Sequence, residues 1–469
     1  MSTPPYDLTI IGAGAAGLIA AGFAVQLGAR VALVDNHRIG GDCTWTGCVP
    51  SKALLKVAKV AHHVRSSARY GIIASAPVTD MDKVSDYLDA AIQQIYRPTT
   101  PEAMRLKGMD VHIGPTRFLD GSSIQTGKDT IRSKHFLVAT GARPAIPSVD
   151  GLESVPYVTY EHIFENRRLP QSLIVIGAGP IGAEVSQAYQ RLGCQVTLIG
   201  ERLLPKEDAD ARESLRTVFE REGIRMLLER AVSVRAEGPS IRVSTPSAEA
   251  RGEMLFIATG RVPNLAGLDL EKAGVRFSAR GIEVDGRLRT TARTIYAAGD
   301  VVGAQQFSHY AGWQAFHAVR NILLPAGGGG TTELVPRVTF TDPEVAHVGP
   351  SEEQALASSG SNICVHRFDL SRVDRAVCDN DRIGFIKMLS KPDGTLVACS
   401  VVGERAGETI NEAVLAIARG LKLKDLASAI HAYPTYSTGL QLLATEVSVA
   451  NLMSGTSGKI VRQLSAWVR

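Results

Sequence analysis

Leu8-Thr9-Ile10-Ile11-Gly12-Ala13-Gly14-Ala15-Ala16-Gly17 opens a stretch that runs to Ala29 without a charge. Its 22 residues are enough to suggest a membrane-spanning helix. The glycines argue otherwise. Gly12, Gly14, Gly17, Gly22 and Gly28 stand in patterned positions, and residues 1–7 hold no Lys or Arg to serve as the basic start of an export signal. Residues 8–11 read as a strand, 12–17 as a turn and 18–27 as a helix facing the sheet. In this G-x-G-x-x-G spacing Gly12 permits the tight turn and Gly14 lets backbone approach a pyrophosphate. Gly17 allows close helix-to-strand packing, and the helix start at Ala15 and Ala16 offers amide donors. A second strand, residues 30–34, ends at Asp35, a carboxylate placed 18 residues after Gly17 to accept hydrogen bonds from a ribose hydroxyl.

The fingerprint recurs. Gly177-Ala178-Gly179-Pro180-Ile181-Gly182 lies 165 residues downstream of the first copy, behind the strand 173–176, and the same offset maps Leu27-Gly28 onto Leu192-Gly193. Two βαβ units in one register predict two dinucleotide sites. They differ at the acid: the position matching Asp35 is Gly200, followed by Glu201 and Arg202. Loss of the carboxylate removes repulsion toward a 2′-phosphate, which Arg202 could pair, whereas Glu201 could take over a ribose contact one residue late. NADPH is the expected donor, with NADH as the alternative. Residues 136–141 and 255–260 repeat as apolar strands ending in Ala-Thr-Gly, which brings Thr140, Gly141 and Gly260 to the edge of the two sites. Residues 295–300 form a further apolar strand ending in Gly299-Asp300, where a carboxylate can bind a polyol; a solvated turn Asp is the plainer alternative.

Directly after the first unit comes Gly40-Gly41-Asp42-Cys43-Thr44-Trp45-Thr46-Gly47-Cys48-Val49-Pro50-Ser51-Lys52. C-x-x-x-x-C has too few ligands for zinc, and no nearby Cys or His completes a set of four, so no metal site is expected. Two thiols five residues apart at a helix start can close a small disulfide ring. With Lys52 one turn beyond Cys48, a thiolate there would be stabilised. Beside two nucleotide sites, redox use is the stronger reading. Cys194, Cys364, Cys378 and Cys399 are expected to be buried hydrophobes.

In these blocks, and in 139–141, 259–264, 298–300 and 431–438, the chain resembles the class I pyridine nucleotide–disulfide oxidoreductases, the flavoprotein family of dihydrolipoyl dehydrogenase, glutathione reductase and mercuric reductase. The resemblance implies an α/β fold of two Rossmann-like dinucleotide-binding domains plus a C-terminal α+β dimerisation domain. The FAD domain would span residues 1–150 and return over 276–334, around an NAD(P) domain at 151–275, with the interface domain at 335–469. FAD would lie on Gly12, Gly14, Ala15, Ala16, Gly17 and Asp35, near Gly41, Asp42 and Lys52, and against Thr140, Gly141, Gly299 and Asp300. NAD(P)H would lie on Gly177, Gly179, Pro180, Ile181 and Gly182, with Glu201, Arg202 and Gly260. Lys52 and Glu184 match an ion pair near the flavin. Cys48 matches the thiol that contacts the flavin and Cys43 the one that exchanges with substrate. A cytoplasmic homodimer is implied.

The pattern departs at the C-terminal end. Disulfide reductases of the family carry His before a proline and Glu four residues after it as an acid–base pair; here the positions hold Tyr433 and Thr438 around Pro434. His431 stands two residues early, about 7 Å away if the segment is an extended strand. Tyrosine is a poor base at neutral pH but can donate a proton. Tyrosine here is similar to mercuric reductases, yet their C-terminal cysteine pair has no counterpart in Ile460-Val461-Arg462-Gln463-Leu464-Ser465-Ala466-Trp467-Val468-Arg469. The acceptor is therefore expected to be a metal ion, a quinone or a disulfide. Ile460, Val461, Leu464, Trp467 and Val468 share a helical face, with Lys459, Arg462 and Arg469 cationic and no acid after Glu446. Packing on a dimer is expected for this tail ahead of contact with a membrane surface.

Bulk composition fits. The 469 residues allow two to four domains, and 45% hydrophobic with 21% charged residues belongs to a globular chain rather than a disordered one. A net charge of +4 without concentrated basic patches speaks against a nucleic-acid partner. Residues 327–330, four glycines, read as a flexible joint.

Overall fold

The structure is a computed structural model that describes residues 5–303, 305–325, 327–359 and 362–468. By packing, the chain divides into residues 1–201 with 227–332, and residues 202–226 with 333–469.

In the first unit, strand Tyr6–Ile11 lies between Val31–Asp35 and Asp129–Val138, all parallel, with Met109–Ile113 parallel at the outer edge and Ile295–Ala297 parallel to Asp129–Val138. Covered on both faces, such strands have no polar side to show and read as unbroken apolar runs. Leu8, Ile10, Leu33 and Leu137 fill one face together with the alanines of helix Ala15–Gln26. Ile11, Val34, Phe136 and Val138 fill the other. Each large side chain so buried contributes about 1.5–3 kcal/mol. The uncharged stretch that began the sequence is therefore a core strand and a core helix, and among the described residues no helix is long and apolar enough to cross a membrane.

The second fingerprint repeats this arrangement: Ser172–Ile176 lies parallel to Gln195–Ile199 and to Met254–Ile257, with helix Pro180–Leu192 following the glycine turn. A three-stranded antiparallel sheet, 233–237, 240–244 and 249–252, is added before the return. The two Ala-Thr-Gly segments are hydrogen-bonded to one another. Ala142–Pro144 runs antiparallel to Arg261–Pro263, Asn264 N–H donates to Gly141 C=O, and Thr259 Oγ1 donates to Ala145 C=O at 2.7 Å. The glycines at 327–330 are not a free joint: Asn321 Nδ2 donates to Gly329 C=O at 2.8 Å, and a ring nitrogen of His317 lies 3.3 Å from Gly328 C=O.

The second unit is built on a five-stranded antiparallel sheet in the order 337–339, 344–348, 396–403, 385–390, 364–369. Helices Ala406–Ala418 and Thr438–Met453 close its apolar face over Ile386, Met388, Val401, Ile410 and Leu440. Residues 429–437 are not the extended strand expected; they form an irregular loop between helices Leu423–Ser428 and Thr438–Met453, with a cis Tyr433–Pro434 peptide. The 7 Å separation derived for a strand thus does not apply. Cys194 and Cys399 are buried as expected, but Cys364 is half-buried and Cys378, at the end of helix Asp374–Cys378, is exposed. A short amphipathic helix presents its last residue to solvent, which its composition does not reveal.

Candidate active site

Both glycine turns are forced by the same crowding. Gly12 and Gly177 adopt φ of +107° and +116°, and a Cβ on either would lie 2.3 Å from a backbone oxygen, of Ala139 and Ala258 respectively. A Cβ at Gly17 or Gly182 would lie 1.8 Å from the carbonyl oxygen of Gly12 or Gly177, so the helix can approach the turn only without one. Gly179 faces open space, room for a ligand's phosphates at the start of helix Pro180–Leu192. Asp35 accepts from the N–H of Ala13 at 2.8 Å and of His37 at 3.0 Å, which fixes its carboxylate at the turn. The matching position, Gly200, has a packing reason to lack a side chain: its Cβ would come within 2.9 Å of Ala178 Cβ and N. Glu201 and Arg202, which follow, are exposed.

Cys43 sits in the short helix Gly41–Trp45, and Cys48 is the first residue of helix Cys48–Ser66. The Cys43 thiol donates to the Cys48 sulfur, Ser308 Oγ lies 3.4 Å from Cys48 Sγ, and Lys52 is one helical turn on. That hydrogen bond from Cys43, aided by Ser308 and the Lys52 charge, lowers the Cys48 pKa to about 6 against the opposing effects of burial and Glu184. The same hydrogen bond, with burial, pushes Cys43 up. The pair therefore holds one thiolate, on Cys48, and one thiol, on Cys43. Ser308 begins helix Ser308–Leu323, whose positive dipole end adds to the stabilisation of that anion. Lys52 Nζ and Glu184 Oε2 form an ion pair of 2.9 Å, with Glu184 buried in helix Pro180–Leu192.

Asp42 and Asp300, both expected at the first site, are joined by an arginine that the sequence did not single out. The Arg261 guanidinium bridges Asp42 and Asp300, the latter at 3.0 Å, and Tyr160 Oη donates to Asp42 at 3.2 Å. Asp300 is thus no solvated turn residue: it is largely buried, and burial raises its pKa against the opposing pull of Arg261. Arg261 follows the Ala-Thr-Gly repeat by one position, which was the available signal. Tyr160 and Ser308 carried none.

His431 and Tyr433 belong to the second unit and have separate partners there. A His431 Nε2 to Glu412 Oε1 contact of 2.7 Å ties the imidazole to helix Ala406–Ala418. Tyr433, 71% exposed, donates its phenol to Asp374 Oδ2 at 2.6 Å, and that bond raises its pKa. Thr438 hydrogen-bonds to Ala432 C=O and to Thr435.

Residues 6–315 match the family described as Pyridine nucleotide-disulphide oxidoreductase, and residues 335–444 match its dimerisation domain. The chain belongs to this family. Its members use FAD and NAD(P)H. Among similar oxidoreductases is a mercuric reductase of Streptomyces lividans, 34% identical over 94% of this chain and 95% of that one. A dihydrolipoyl dehydrogenase of Thermus scotoductus is also 34% identical, over 93% of this chain and 96% of its own. The structure resembles the Cu(II) complex of the HOCl-induced flavoprotein disulfide reductase RclA from Escherichia coli, at a TM-score of 0.86 and 27% identity, covering 95% of this chain and all of that one. The two cradles suit the oxidoreductase cofactors: both fingerprints admit close backbone approach, and the buried Arg261 Nε, without a hydrogen-bond partner among the described residues, sits between two carboxylates beside the first.

Proposed function

We propose that this oxidoreductase passes electrons from NADPH through FAD and the Cys43–Cys48 couple to a soft, thiol-binding metal ion such as Hg(II) or Cu(II). Tyr433 carries this reading. Exchange with a disulfide substrate needs a base to take and return a proton at the exchange thiol, and a phenol with a raised pKa that donates to Asp374 is a hydrogen-bond donor instead. A thiophilic cation needs no such base, because it binds thiolate sulfur directly. Relatives named for mercuric ion, and a structure named as a Cu(II) complex, support the choice.

In this scheme Gly12, Gly14, Ala15, Ala16, Gly17 and Asp35 hold FAD, with Gly41, Thr140, Gly141 and Gly299 bordering it and Asp300 and Asp42 neutralised by Arg261. Gly177, Gly179, Pro180, Ile181, Gly182 and Gly260 hold the nicotinamide nucleotide, and Arg202 receives a 2′-phosphate while Glu201 is the residue an NADH enzyme would use. Bound there, FAD would supply the hydride and electron-pair chemistry that links NADPH to the Cys43–Cys48 disulfide. Cys48 keeps the thiolate on the cofactor side, and Lys52, anchored by Glu184, holds a positive charge near it. Cys43 is the thiol that meets the acceptor, losing its proton as a metal–sulfur bond forms. The electron pair satisfies one Hg(II) or two Cu(II).

Steady-state rates with Hg(II), Cu(II), lipoamide, oxidised glutathione and a quinone, each with NADPH and NADH, test the scheme. Metal-ion turnover with NADPH should exceed lipoamide turnover by about 10²–10⁴-fold, the usual worth of a missing acid–base group. A second reading, a dihydrolipoyl dehydrogenase, is favoured by the His431–Glu412 contact. It requires the reverse ranking, NADH preference, and loss of lipoamide turnover in His431→Ala.

A further inference from the structure

Cys43 is carried by helix Gly41–Trp45, which has five residues and no side-chain cap and is too short to hold itself together in water. Its surroundings hold it instead. Gly41 packs on the first glycine turn, where a Cβ would lie 2.6 Å from Gly14 Cα, and Trp45 Nε1 donates to Ile39 C=O at 2.8 Å. Asp42, the residue before Cys43, is gripped from far along the chain: its carboxylate accepts from Tyr160 Oη at 3.2 Å and from Arg261 Nη2. Arg261 is fixed in turn, with Nη1 3.0 Å from Asp300 and its backbone paired with Ala142–Pro144.

Two acids share this one guanidinium. Without it Asp42 and Asp300 would repel each other, and Asp42 would turn toward water and take its helix along. Only a planar fork reaches both carboxylates at once; an ammonium bound to one would leave the other unpaired. Any shift of the helix is felt at the sulfurs, because the Cys43 thiol donates to Cys48. We propose that Arg261 is a positioning residue of the dithiol: holding Asp42, with Asp300 as the opposite anchor, it sets where the Cys43 sulfur sits against Cys48. The proposal rests on the two cysteines being the redox couple, as read above, and not on the acceptor they serve.

Arg261→Gln, Asp42→Ala and the double variant test it, each as full-length flavin-loaded protein and as apoprotein, against wild type in the same state. The first readout is the pH midpoint of the thiolate-to-flavin charge-transfer absorbance. The Cys48 thiolate is faced by Cys43, Ser308, Lys52 and Glu184; losing the Cys43 donor should raise the midpoint by about one to two pH units in either single variant. Charge alone predicts otherwise, since removing the Asp42 carboxylate would lower it. The second readout is the initial rate of iodoacetamide labelling of Cys43 in the reduced protein at pH 7, resolved from Cys48 by fragment mass. It should rise about tenfold or more in both variants as the Cys43 thiol is freed. The double variant should match the singles, because both changes cut one link. An unmoved midpoint and labelling rate in Arg261→Gln overturn the proposal, as does a lowered midpoint in Asp42→Ala. Flavin loss from Arg261→Gln, with Cys43 labelled at the rate of wild-type apoprotein, overturns it equally and gives Arg261 to cofactor retention. A wild type without the absorbance band refutes the dithiol–flavin relay, and the labelling rates then decide on Arg261.

Discussion

At the residue scale, the chemistry rests on two sulfurs with opposite proton affinities. The hydrogen bond from Cys43 and the charge on Lys52 keep Cys48 ionised above about pH 6. Anaerobic reduction by NADPH should therefore produce a long-wavelength thiolate-to-flavin charge-transfer absorbance that is full at neutral pH and fades as pH falls through 6. Lys52→Gln removes a stabilising cation, so the fading should move to higher pH by about one unit; an unmoved midpoint would mean that Lys52 serves only to hold Glu184. Cys48→Ser should lose the band outright. The cysteines, Lys52 and Asp35 were legible because their roles follow from short spacings. Arg261 with Asp42, and Ser308 with Cys48, were not, since each contact joins residues more than two hundred positions apart and leaves no periodic trace.

Among the elements, the two glycine turns make a paired experiment. A side chain at Gly12 or Gly177 would need a left-handed backbone and would meet a carbonyl oxygen at 2.3 Å. Gly177→Ala should leave a yellow, flavin-loaded protein whose reduction by NADPH is slowed more than ~tenfold, while its photoreduction is normal. Gly12→Ala should instead lose flavin, read as the ratio of flavin to protein absorbance. Equal flavin loss in both would mean that the two cradles are not independent. These turns were readable because glycine at fixed offsets is a direct statement about backbone. Loop 429–437 is not the extended strand assumed for the 7 Å separation of His431 and Tyr433, because the hydrogen bonds of Thr435 and Thr438 to Ala432 C=O pull it into a bend.

For the whole molecule, the organising fact of the second unit is ionic. Lys387, 2% exposed, lies 2.8 Å from Asp208, 2.9 Å from Asp210 and 2.8 Å from Glu352. Arg337 holds Glu207 at 2.6 Å nearby. These bonds tie residues 202–226, by sequence a continuation of the second nucleotide unit, to the sheet of residues 333–469. Nothing in the sequence marks them, because acids and a lysine scattered over 180 positions resemble any solvated surface. Burial alone would lower the Lys387 pKa, but its carboxylate partners outweigh it and hold the group at about 12. Asp208 is shifted down. A raised lysine contributes stability below its unfolded pKa near 10 and loses it as pH rises through 12; a lowered carboxylate contributes above about pH 4 and loses it below. The Lys387–Asp208 pair should therefore contribute evenly to stability against urea from about pH 7 to 10, whereas the adjoining His347, whose pKa burial lowers to about 4, costs stability as pH falls below about 6.5. Lys387→Met, which strands the buried Asp208, should cost about 3–5 kcal/mol at pH 7, measured as a lower urea midpoint; a loss under about 1 kcal/mol would show that water reaches Asp208 as it does the partly exposed Asp210 and Glu352.

The antiparallel ribbon of Ala142–Pro144 with Arg261–Pro263 has a topological meaning. It draws the beginning and the end of the intervening excursion to one point, so that excursion is a loop tied at its neck. The entropy of closing it is met by the ribbon's own backbone bonds and by Thr140, Thr259 and Asn264. A segment leaving and returning at one place can be lengthened, shortened or exchanged without moving the strands on either side of the neck. The ribbon is thus a seam: strand Ile295–Ala297, which follows the excursion, pairs in parallel with Asp129–Val138, which precedes it.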